Sequence, residues 1–482
     1  MMRLQNDAFH QDKDRQDMQE KTLIAGLSRR EFLRRGLICA GVVSSPSLLL
    51  GCGSEGDGGS TVMGGGTIVP PLQSTADANG LLLPEGYVSR VIAQAAQMVP
   101  NTTQLLPLLT FPDGAASFPD PEVAGGWIHV INSEVPKVPS LLGMGLDPLT
   151  DPLISALQDL GLELSLSGGV FAIRFSPEGD ITGAYRLLNG SNTNCAGGMT
   201  PWGTWISCEE VDNGTSFEVH PLGQGMINGV EYPIRLDNLG IFKHEAAAVD
   251  PLRKHVYLTE DQGDGRFYRL VSSDSQPWDG SVKGDLSLGT LQVAQVVGDD
   301  PAATRDVIWH DLPDPSGATP TREQVAASTI FDGGEGCWYH EGIVYFTTKG
   351  DNRVWAYDVV ASTLDVLYDD DQYESPVLTG VDNVIVSPEG NVIVAEDGGD
   401  MQAVVLTPGG QVAPIVQVQG QDASEITGLA LNPDGTRLYF NSQRGGDIRI
   451  PIPELPGLPI SGEVGGGIIY EIRREDGGKI FG

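Results

Sequence analysis

A turn followed by a short apolar strand recurs along this chain, and this repeat constrains the fold more than any other feature. Gly390 and Gly435 begin two such units, 45 residues apart, which continue into VIVAED and LYFNSQ. Gly342 lies 48 residues before Gly390 and leads into VYFTTKGD. Three earlier units lead into WIHVINSE, TWISCEE and HVYLTED. Each unit leaves faces that only neighbouring copies can cover, so the six units must pack against one another.

The length of the repeat indicates its architecture. A period of about 40–50 residues built from short strands is typical of propeller blades. We therefore predict an all-β fold, a six-bladed β-propeller with loop and short helical insertions. It would form a single domain over residues 76–482, and Leu153 to Leu162 would form a helix within one insertion. A solenoid would also repeat, but the irregular insertions favour a closed ring.

The first 51 residues have the pattern of an export signal. The segment Ser28–Leu33 (SRREFL) precedes an apolar stretch from Gly36 to Leu50 and resembles a twin-arginine signal. Leu49–Cys52 (LLGC) resembles a lipobox, in which Cys52 becomes the lipidated first residue. We expect residues 1–51 to be a twin-arginine lipoprotein signal peptide and residues 52–75 a flexible Gly/Ser-rich tether. A buried N-terminal helix is the alternative.

This signal predicts where the protein is found. We expect the twin-arginine export machinery to carry it across the membrane, in the folded state. It would then be lipid-anchored at Cys52, in the periplasm or at the cell surface. The sequence contains no run of 18 apolar residues, so we expect membrane contact only through the lipid anchor.

The charge of the chain excludes one class of partner. There are 64 acidic and 29 basic residues, which gives a net charge of −35. Residues 1–51 hold 6 of the acidic and 8 of the basic side chains, so the remainder has 58 against 21, a net charge of −37. A nucleic-acid backbone requires a basic face, so we expect no nucleic-acid partner.

Thiol and carboxylate side chains recur at matching places in the repeat. Just before the turns of several units the chain has Cys195, Glu245, Glu335, Asp382 and Glu425. The second strand of several units ends in carboxylates, at Glu134, Glu209-Glu210, Glu260-Asp261 and Glu396-Asp397. Equivalent positions of successive blades form a ring around the channel of a propeller. Close carboxylates cannot all stay ionised unaided, so the pattern predicts bound multivalent cations.

The donor types indicate which cations would bind. Carboxylates with backbone oxygens suit Ca²⁺, whereas a thiolate among carboxylates suits a softer transition metal such as iron. Two alternatives stay open: each acid at a strand end could simply be solvated, and Cys195 could form a disulfide with Cys208, 13 residues away. His244 could support a ligand or be a core histidine. Cys337 is expected to be a small buried residue.

One segment carries a family resemblance. The run Asn194–Trp205 (NCAGGMTPWGTW), continuing to Cys208–Glu210, closely resembles the PhoX-type alkaline phosphatases. Lys243–Ala247, Thr259–Asp261 and Glu335–Trp338 support the resemblance, as does Asp382-Asn383, and it extends over roughly residues 80–475. The resemblance implies a twin-arginine-exported six-bladed propeller with iron and calcium at the channel mouth.

The resemblance also implies roles for individual residues. Cys195 would be the thiolate that bridges two irons. The carboxylate ligands of Fe³⁺ or Ca²⁺ would be Glu134, Glu210, Glu260, Glu335 and Asp382. Of these residues, Cys195, Glu210, Glu260 and Glu335 would form the catalytic centre.

The chain departs from the family pattern in two places. Members of the family usually carry an arginine two positions before the glutamate of the Glu-Gly motif, where this chain has Gly333. They often carry another arginine after the Glu-Asp pair, where this chain has Gln262. Phosphate-binding cations would then come from elsewhere, and the candidates are Lys349, Arg353 and Arg444.

The function that follows is an exported metal-dependent phosphatase, a monomer that hydrolyses small phosphomonoesters at the channel mouth. Bound cations would neutralise the phosphate oxygens and activate an oxygen nucleophile. Two other classes stay open. One is a calcium-dependent propeller lactonase or related hydrolase, which needs no thiolate. The other is a non-catalytic propeller lipoprotein that binds a partner and holds metal for rigidity.

Overall fold

The structure is a computed structural model, and it describes residues 67–95, 97, 99–100, 111–137, 167–446, 449–452 and 462–482. The predicted signal peptide, residues 52–66 of the predicted tether and the predicted helix at 153–162 lie outside these residues. Residues 67–75 lie against the domain: Val69 is buried, and its backbone exchanges two hydrogen bonds with the side chain of Gln411. The boundary at residue 76 stays a prediction. In the part of the chain that the structure describes, no helix has the length and apolarity to cross a bilayer.

The described residues form thirty β-strands and almost no helix. The first ten strands are β1 (Leu81–Leu82), β2 (Tyr87–Gln94), β3 (Pro112–Pro119), β4 (Trp127–Ser133), β5 (Gly168–Phe175), β6 (Ile181–Ser191), β7 (Asn194–Met199), β8 (Trp205–Glu209), β9 (Ser216–Val219) and β10 (Gly225–Ile227). The next ten are β11 (Val230–Tyr232), β12 (Ile234–Arg235), β13 (His244–Asp250), β14 (His255–Glu260), β15 (Phe267–Ser272), β16 (Gly289–Val296), β17 (Arg305–Asp311), β18 (Gly334–His340), β19 (Ile343–Thr348) and β20 (Arg353–Asp358). The last ten are β21 (Thr363–Asp369), β22 (Val381–Val386), β23 (Val392–Glu396), β24 (Gln402–Leu406), β25 (Val412–Val418), β26 (Ile426–Leu431), β27 (Arg437–Ser442), β28 (Arg449–Ile452), β29 (Gly462–Gly465) and β30 (Ile468–Arg474). Three short 3₁₀-helices are Asp237–Leu239, Thr321–Glu323 and Asp370–Gln372.

These strands form five larger antiparallel sheets and two hairpins, β10–β11 and β28–β29. Three of the larger sheets have four strands, in the orders β3–β4–β5–β6, β7–β8–β9–β12 and β26–β27–β30–β2. A fourth has the order β22–β23–β24–β25–β1. The fifth has nine strands, in the order β13–β14–β15–β16–β17–β21–β20–β19–β18.

Six strands, called the ring strands below, connect these sheets into a closed circle. They are β3, β7, β13, β18, β22 and β26, and each contacts the next, while β26 contacts β3. Each begins a run of strands that meander away from the circle, so each lies at the end of a sheet or, for β13 and β18, at the two ends of the nine-stranded sheet. The prediction of an all-β, propeller-like fold is confirmed. The sheets do not separate into six, because β17 pairs with β21 through Arg305↔Leu364 and Asp306↔Thr363.

The two ends of the domain meet in one sheet. Strand β2, near the start of the domain, pairs along its length with β30, which lies next to the C-terminus. Strand β30 pairs in turn with β27, so strands from both ends of the described chain contribute to the last sheet. This arrangement holds the circle closed.

The apolar cores lie between neighbouring sheets. The rings of Trp127 and Phe175, both in the first sheet, stack with centroids 5.2 Å apart, and Phe175 lies 5.5 Å from Tyr439 of the last sheet. Between the two halves of the nine-stranded sheet, Phe267 of β15 stacks on Phe346 of β19 at 4.3 Å. Aromatic pairs of this kind add to the free energy gained from apolar burial. The packing fixes the sheets around the central axis and so positions the residues at the ring strands.

Candidate metal centre

Each ring strand carries a β-bulge near its first residues. The pairing with the following strand shifts between Pro112 and Ala115 in β3, and equivalent shifts occur in the other five ring strands. A bulge leaves residues unpaired and re-aims their side chains. The first residues of the six bulges are Asp113, Cys195, Glu245, Glu335, Asp382 and Gly428. Five of the six bulges therefore present a thiol or a carboxylate at one end of the circle.

The second strand of each sheet adds another residue at the same end. The strands β4, β8, β14, β19, β23 and β27 pair with the ring strands, and the residue after each is polar or charged. These six residues are Glu134, Glu210, Asp261, Lys349, Asp397 and Gln443. The repeat thus produces two sets of equivalent positions, one from the bulges and one from the ends of the second strands.

Side chains on four of the second strands fix the bulge of a neighbouring ring strand. Asn132 in β4 donates from Nδ2 to the backbone oxygens of Cys195 and Ala196, at 2.8 Å each. Thr259, Thr347 and Asn441 donate in the same way to the backbone oxygens of three other bulge residues, Glu335, Asp382 and Asp113. The donors are buried and lie on rigid strands. The bulge side chains are therefore held in place before any ligand binds.

The donor atoms of these residues converge into three groups. In each group the ligand atoms lie within 4.8 Å of one another. The groups are Asp113–Glu134–Cys195, Cys195–Glu210–Glu245 and Glu245–Glu335–Asp382. Because Cys195 and Glu245 each belong to two groups, the three groups form one continuous cluster. Gln443 closes its first group by donating from Nε2 to Asp113 Oδ2 and Glu134 Oε2, at 2.6 Å each.

The cluster is strongly acidic and buried, and its protonation equilibria reflect both facts. Burial, followed by repulsion from Glu335 and Glu210, raises the pKa of Glu245 well above its usual value. Burial raises the pKa of Asp113 to about 6 and that of Glu210 to about 7. Burial and the same carboxylates raise the pKa of the Cys195 thiol. The raised pKa values show that nearby positive charge is too small to stabilise the ionised carboxylates and thiolate of the cluster.

Two lysines supply positive charge on one side of the cluster. Lys243 Nζ lies 2.9 Å from Glu210 Oε1 and 2.9 Å from Asp261 Oδ2. Lys349 Nζ lies 2.6 Å from Glu335 Oε1 and 3.1 Å from the same Asp261 oxygen. Burial opposes ionisation of Asp261, but Lys349, a hydrogen bond from Glu210 and Lys243 hold its pKa at about 2. Asp261 is thus charge-compensated within the protein, unlike Glu245.

Five of the six predicted ligands lie in the cluster: Glu134, Cys195, Glu210, Glu335 and Asp382. The sixth, Glu260, points elsewhere. Its carboxylate accepts hydrogen bonds from the Tyr268 hydroxyl at 2.7 Å and the Arg266 backbone at 3.2 Å, and Arg322 lies 3.1 Å away. The neighbouring Asp261 takes the position equivalent to Glu210. A ligand role for Glu260 stays a prediction, and neither Glu260 nor Asp261 belongs to the three groups of donor atoms.

Two residues next to the predicted strand ends have the same structural role as Glu260. Glu209 accepts hydrogen bonds from the backbone N–H groups of Asn192 and Thr215. Glu396 accepts from those of Thr379 and Gln402. These buried carboxylates therefore tie loops to the strand ends.

The open alternatives for cysteine and histidine are resolved by contacts. Cys195 and Cys208 are free thiols, and Cys208 Sγ lies 3.6 Å from the Ser216 hydroxyl. Cys337 is a free buried cysteine in an apolar core. His244 is fully buried, stacks on Phe242 at 3.6 Å and hydrogen-bonds the Gly240 backbone oxygen at 2.9 Å. It is therefore a core histidine.

Asp113 and Glu245 were not among the six ligands predicted. Glu245 appears in the sequence repeat alone, because it precedes Pro251 by six residues. Asp113 has a weaker signal. It lies 21 residues before Glu134, whereas Cys195 lies only 15 before Glu210. Because the β3–β4 hairpin is longer, the sequence spacing does not show that Asp113 is equivalent to Cys195. The position of both residues in a bulge does show it.

The fold and the cluster together define an all-β, propeller-like protein with a candidate metal centre where its ring strands meet. The family Alkaline phosphatase PhoX matches residues 174–365 and 359–446, which is more than half of the chain. The chain therefore belongs to the PhoX alkaline phosphatase family.

Many solved structures match the chain, including the following two. The structure of Pseudomonas fluorescens PhoX in complex with vanadate, a transition-state analogue, has a TM-score of 0.63 at 18% identity and covers 86% of this chain and 99% of its own. A gluconolactonase from Xanthomonas campestris has a TM-score of 0.37 at 13% identity, over 85% of this chain and 96% of its own. The first likeness is one of fold. No curated protein matches the chain significantly.

Proposed function

We propose that this protein is an exported, metal-dependent phosphatase that hydrolyses phosphomonoesters at the cluster of Cys195 and Glu245. The observation that carries the metal centre is the second oxygen of Glu245. Glu245 is fully buried, and its Oε2 has no hydrogen-bond partner among the described residues. A buried carboxylate oxygen without a partner is costly, and a bound cation would remove that cost.

The donor set fits such a cation. Oxygen donors from Asp113, Glu134, Glu210, Glu335 and Asp382 surround the Cys195–Glu245 pair. Carboxylate oxygens suit Ca²⁺, and a thiolate among them suits iron. We therefore propose Fe³⁺ on the Cys195 side and Ca²⁺ among the remaining carboxylates, and the fit supports their presence without giving their number.

The residues of the chain would then act as follows. When bound, multivalent cations neutralise phosphoryl oxygens and lower the pKa of a bound water. Cys195 and Glu245 hold the donors of neighbouring sheets together, and Asn132 keeps the Cys195 bulge in position. The buried cluster limits access of water, which strengthens its electrostatic interactions. Asp113 and Glu134 are held in fixed orientations by Gln443, so the site is preorganised.

The fold of the proposed enzyme is a six-bladed propeller. The nine-stranded sheet then counts as two blades, β13–β17 and β18–β21, joined at their outer edges by the short β17–β21 pairing. Six ring strands with six equivalent bulges support this count. The short pairing covers part of two exposed strand edges, which otherwise favour aggregation.

Export and anchoring are proposed from the sequence of the first 52 residues. Replacing Arg29 and Arg30 with lysine should retain the protein in the cytoplasm, as measured by fractionation. Replacing Cys52 with alanine should leave export intact and release the protein from the membrane fraction. Export that survives the double lysine substitution would contradict the twin-arginine assignment.

The central test combines metal content with turnover. Purified protein should contain iron and calcium by elemental analysis and should hydrolyse p-nitrophenyl phosphate, and a chelator should remove both properties together. Metal-free protein with full turnover, or metal-loaded protein without turnover on phosphomonoesters, would overturn the proposal. Hydrolysis of lactones in place of phosphomonoesters, with calcium alone, would identify the lactonase class instead.

A further inference from the structure

An acidic cluster repels a phosphomonoester dianion, so the site needs fixed positive charge in addition to any bound cation. The six residues that follow the second strands include one cation, Lys349, among carboxylates and an amide. Three other basic side chains are candidates: Lys243, Arg353 and Arg444. Their contacts distinguish them.

Arg353 and Arg444 are engaged with other groups. Arg353 pairs with Asp351 at 2.7 Å and Asp369 at 3.0 Å, and its guanidinium lies over the ring of Trp355, at 5.7 Å. None of these partners belongs to the cluster. Arg444 pairs with Glu425 at 3.0 Å, and Glu425 lies outside the three ligand groups. The charge of Arg444 also interacts with Asp113 and Glu134 of the first group, but Glu425 is the carboxylate with which it forms an ion pair.

Lys349, in contrast, contacts the cluster and is open to solvent. Its ammonium bonds Glu335 at 2.6 Å, and Glu335 is a member of the third ligand group. The Lys349 side chain is 40% exposed, against 4% for Glu335 and 9% for Asp261. A lysine ammonium has three N–H donors, and the ion pairs of Lys349 involve only two carboxylate oxygens, one of Glu335 and one of Asp261. Donor capacity therefore remains for a further acceptor on the exposed side of the cluster.

Gly333 makes room for this lysine. The Lys349 backbone N–H donates to the Gly333 oxygen at 2.9 Å. A Cβ added at Gly333 would lie 2.9 Å from Cγ of Lys349 and 3.4 Å from Asp261 Oδ1. The aliphatic part of Lys349 thus passes directly over a residue without a side chain. Any larger residue at this position would displace the lysine.

Asp261 joins Lys349 to a second cation. Its Oδ2 accepts from Lys349 at 3.1 Å and from Lys243 at 2.9 Å, so one oxygen atom holds two ammonium groups. Lys243 is less exposed, at 25%, and reaches Glu210 on its other side. The pair places two positive charges beside two members of the cluster.

We propose that Lys349, positioned by Asp261 and supported by Lys243, binds the anionic phosphoryl oxygens of the substrate. This assignment rests on the proposed function and deepens it, because it names the residue that would recognise the dianionic phosphoryl group of the substrate. Lys349 would bind substrate through an N–H donor that its two carboxylate partners leave available. Asp261 would be a positioning residue.

The test compares Lys349→Met with Lys349→Arg in the metal-loaded protein. The matched control is Lys479→Met, since Lys479 is 53% exposed and pairs only with Glu389, at 3.3 Å, among the described residues. Three quantities are measured: the affinity for inorganic phosphate by calorimetry, kcat and KM for p-nitrophenyl phosphate, and the metal content. The calorimetry does not depend on turnover.

For Lys349→Met we expect phosphate affinity to fall and KM to rise by about tenfold or more, with metal content unchanged. Lys349→Arg should retain most of the affinity, and Lys479→Met should match the wild type. Gly333→Ala, which keeps the lysine but displaces it, should weaken phosphate binding in the same direction. Unchanged phosphate affinity in Lys349→Met would overturn the assignment, as would a loss of metal that accompanies the loss of affinity.

The outcomes separate this inference from the proposed function. If the wild type hydrolyses phosphomonoesters and Lys349→Met binds phosphate normally, the assignment of Lys349 fails and the function stands. If the wild type binds phosphate through Lys349 but has no turnover, the function fails and the assignment stands. A metal-loaded wild type that does not bind phosphate would overturn the assignment.

Discussion

The thiol of Cys195 donates a hydrogen bond to Oε1 of Glu245 at 3.1 Å, which joins the bulges of two neighbouring ring strands. Between them, these two residues take part in all three groups of candidate ligands. The contact is buried and is supported by the fixed Cys195 bulge. The Cys195–Glu245 pair is therefore the centre of the site, and substitutions there should affect more than one bound ion.

Glu245→Gln should remove metal from the protein. The substitution keeps the shape of the side chain but replaces a negative oxygen, next to Cys195, with an amide. Because several kcal/mol of charge stabilisation in the transition state depends on the bound cations, turnover should fall by at least about a hundredfold. Elemental analysis and p-nitrophenyl phosphate kinetics measure the two effects.

The matched control for this substitution is Glu396→Gln. Glu396 is also fully buried in the same fold, but its oxygens accept from the backbone of Thr379 and Gln402. Its replacement should lower thermal stability and leave metal content unchanged. Equal metal loss in both variants would mean that Glu245 acts through folding, which would contradict its role as a ligand.

Cys195→Ser should separate a phosphatase from a calcium-only hydrolase. A serine hydroxyl is a harder and far less acidic donor than a thiol, so a site that needs the thiolate should lose its iron. We expect iron content and phosphomonoesterase activity to fall together while calcium remains. Full activity in the variant would show that the thiol is dispensable and would favour the lactonase class.

The sequence predicted the strands and the ring of polar residues because both follow from the repeat. The repeat did not determine which of two adjacent acids takes the position equivalent to Glu210. Successive side chains of a strand point to opposite faces, so Glu260 and Asp261 differ in direction although they are neighbours. Edge pairing such as β17 with β21 depends on how far two sheets lie apart, and no local pattern reports that distance. Cys195 was identified both by its place in the repeat and by its family motif, whereas the bulge that presents it is visible only in the structure.

Glu260→Gln and Asp261→Asn should therefore have different effects. Glu260→Gln removes the buried carboxylate that Tyr268 and Arg322 contact and leaves Arg322 with only the exposed Asp264 as a charged partner, so we expect a loss of about 3 kcal/mol in the free energy of unfolding. Asp261→Asn removes the group that holds Lys243 and Lys349, so KM should rise with a smaller change in stability. Urea denaturation and steady-state kinetics distinguish them. Metal loss specific to Glu260→Gln would restore Glu260 as a ligand.

Gly428→Ala tests whether the sixth bulge is required by geometry. Gly428 has φ of 62° and is the only glycine among the first residues of the six bulges. A Cβ there would overlap Nδ2 of Asn441 and lie 2.6 Å from the Asp113 backbone oxygen. Strain and displacement of Asn441 should cost at least about 2 kcal/mol of stability. Because Asn441 fixes the Asp113 bulge, metal affinity should fall as well. Gly435→Ala, at a turn with φ of 74° and an open environment, is the control for backbone strain alone.

The stability of the metal-free protein should fall as pH rises. Burial raises the pKa of Asp113 to about 6 and those of Glu210 and Glu396 to about 7 in the folded protein, whereas unfolded carboxyl groups titrate near about 4. Between these values the folded state binds more protons than the unfolded state, so the free energy of unfolding decreases with increasing pH. The contribution is present in full below about pH 4 and is lost as pH rises through about 7. Asp261 behaves in the opposite way, since its pKa of about 2 makes its contribution to stability disappear only in acid.

Bound cations replace the protons, so the stability of the metal-loaded protein should depend much less on pH. Denaturant unfolding with and without chelator, from about pH 5 to about pH 8, measures both curves. If the stability of the chelator-treated protein increased over this pH range, repulsion among the ionised carboxylates of the cluster would not be what destabilises the metal-free protein.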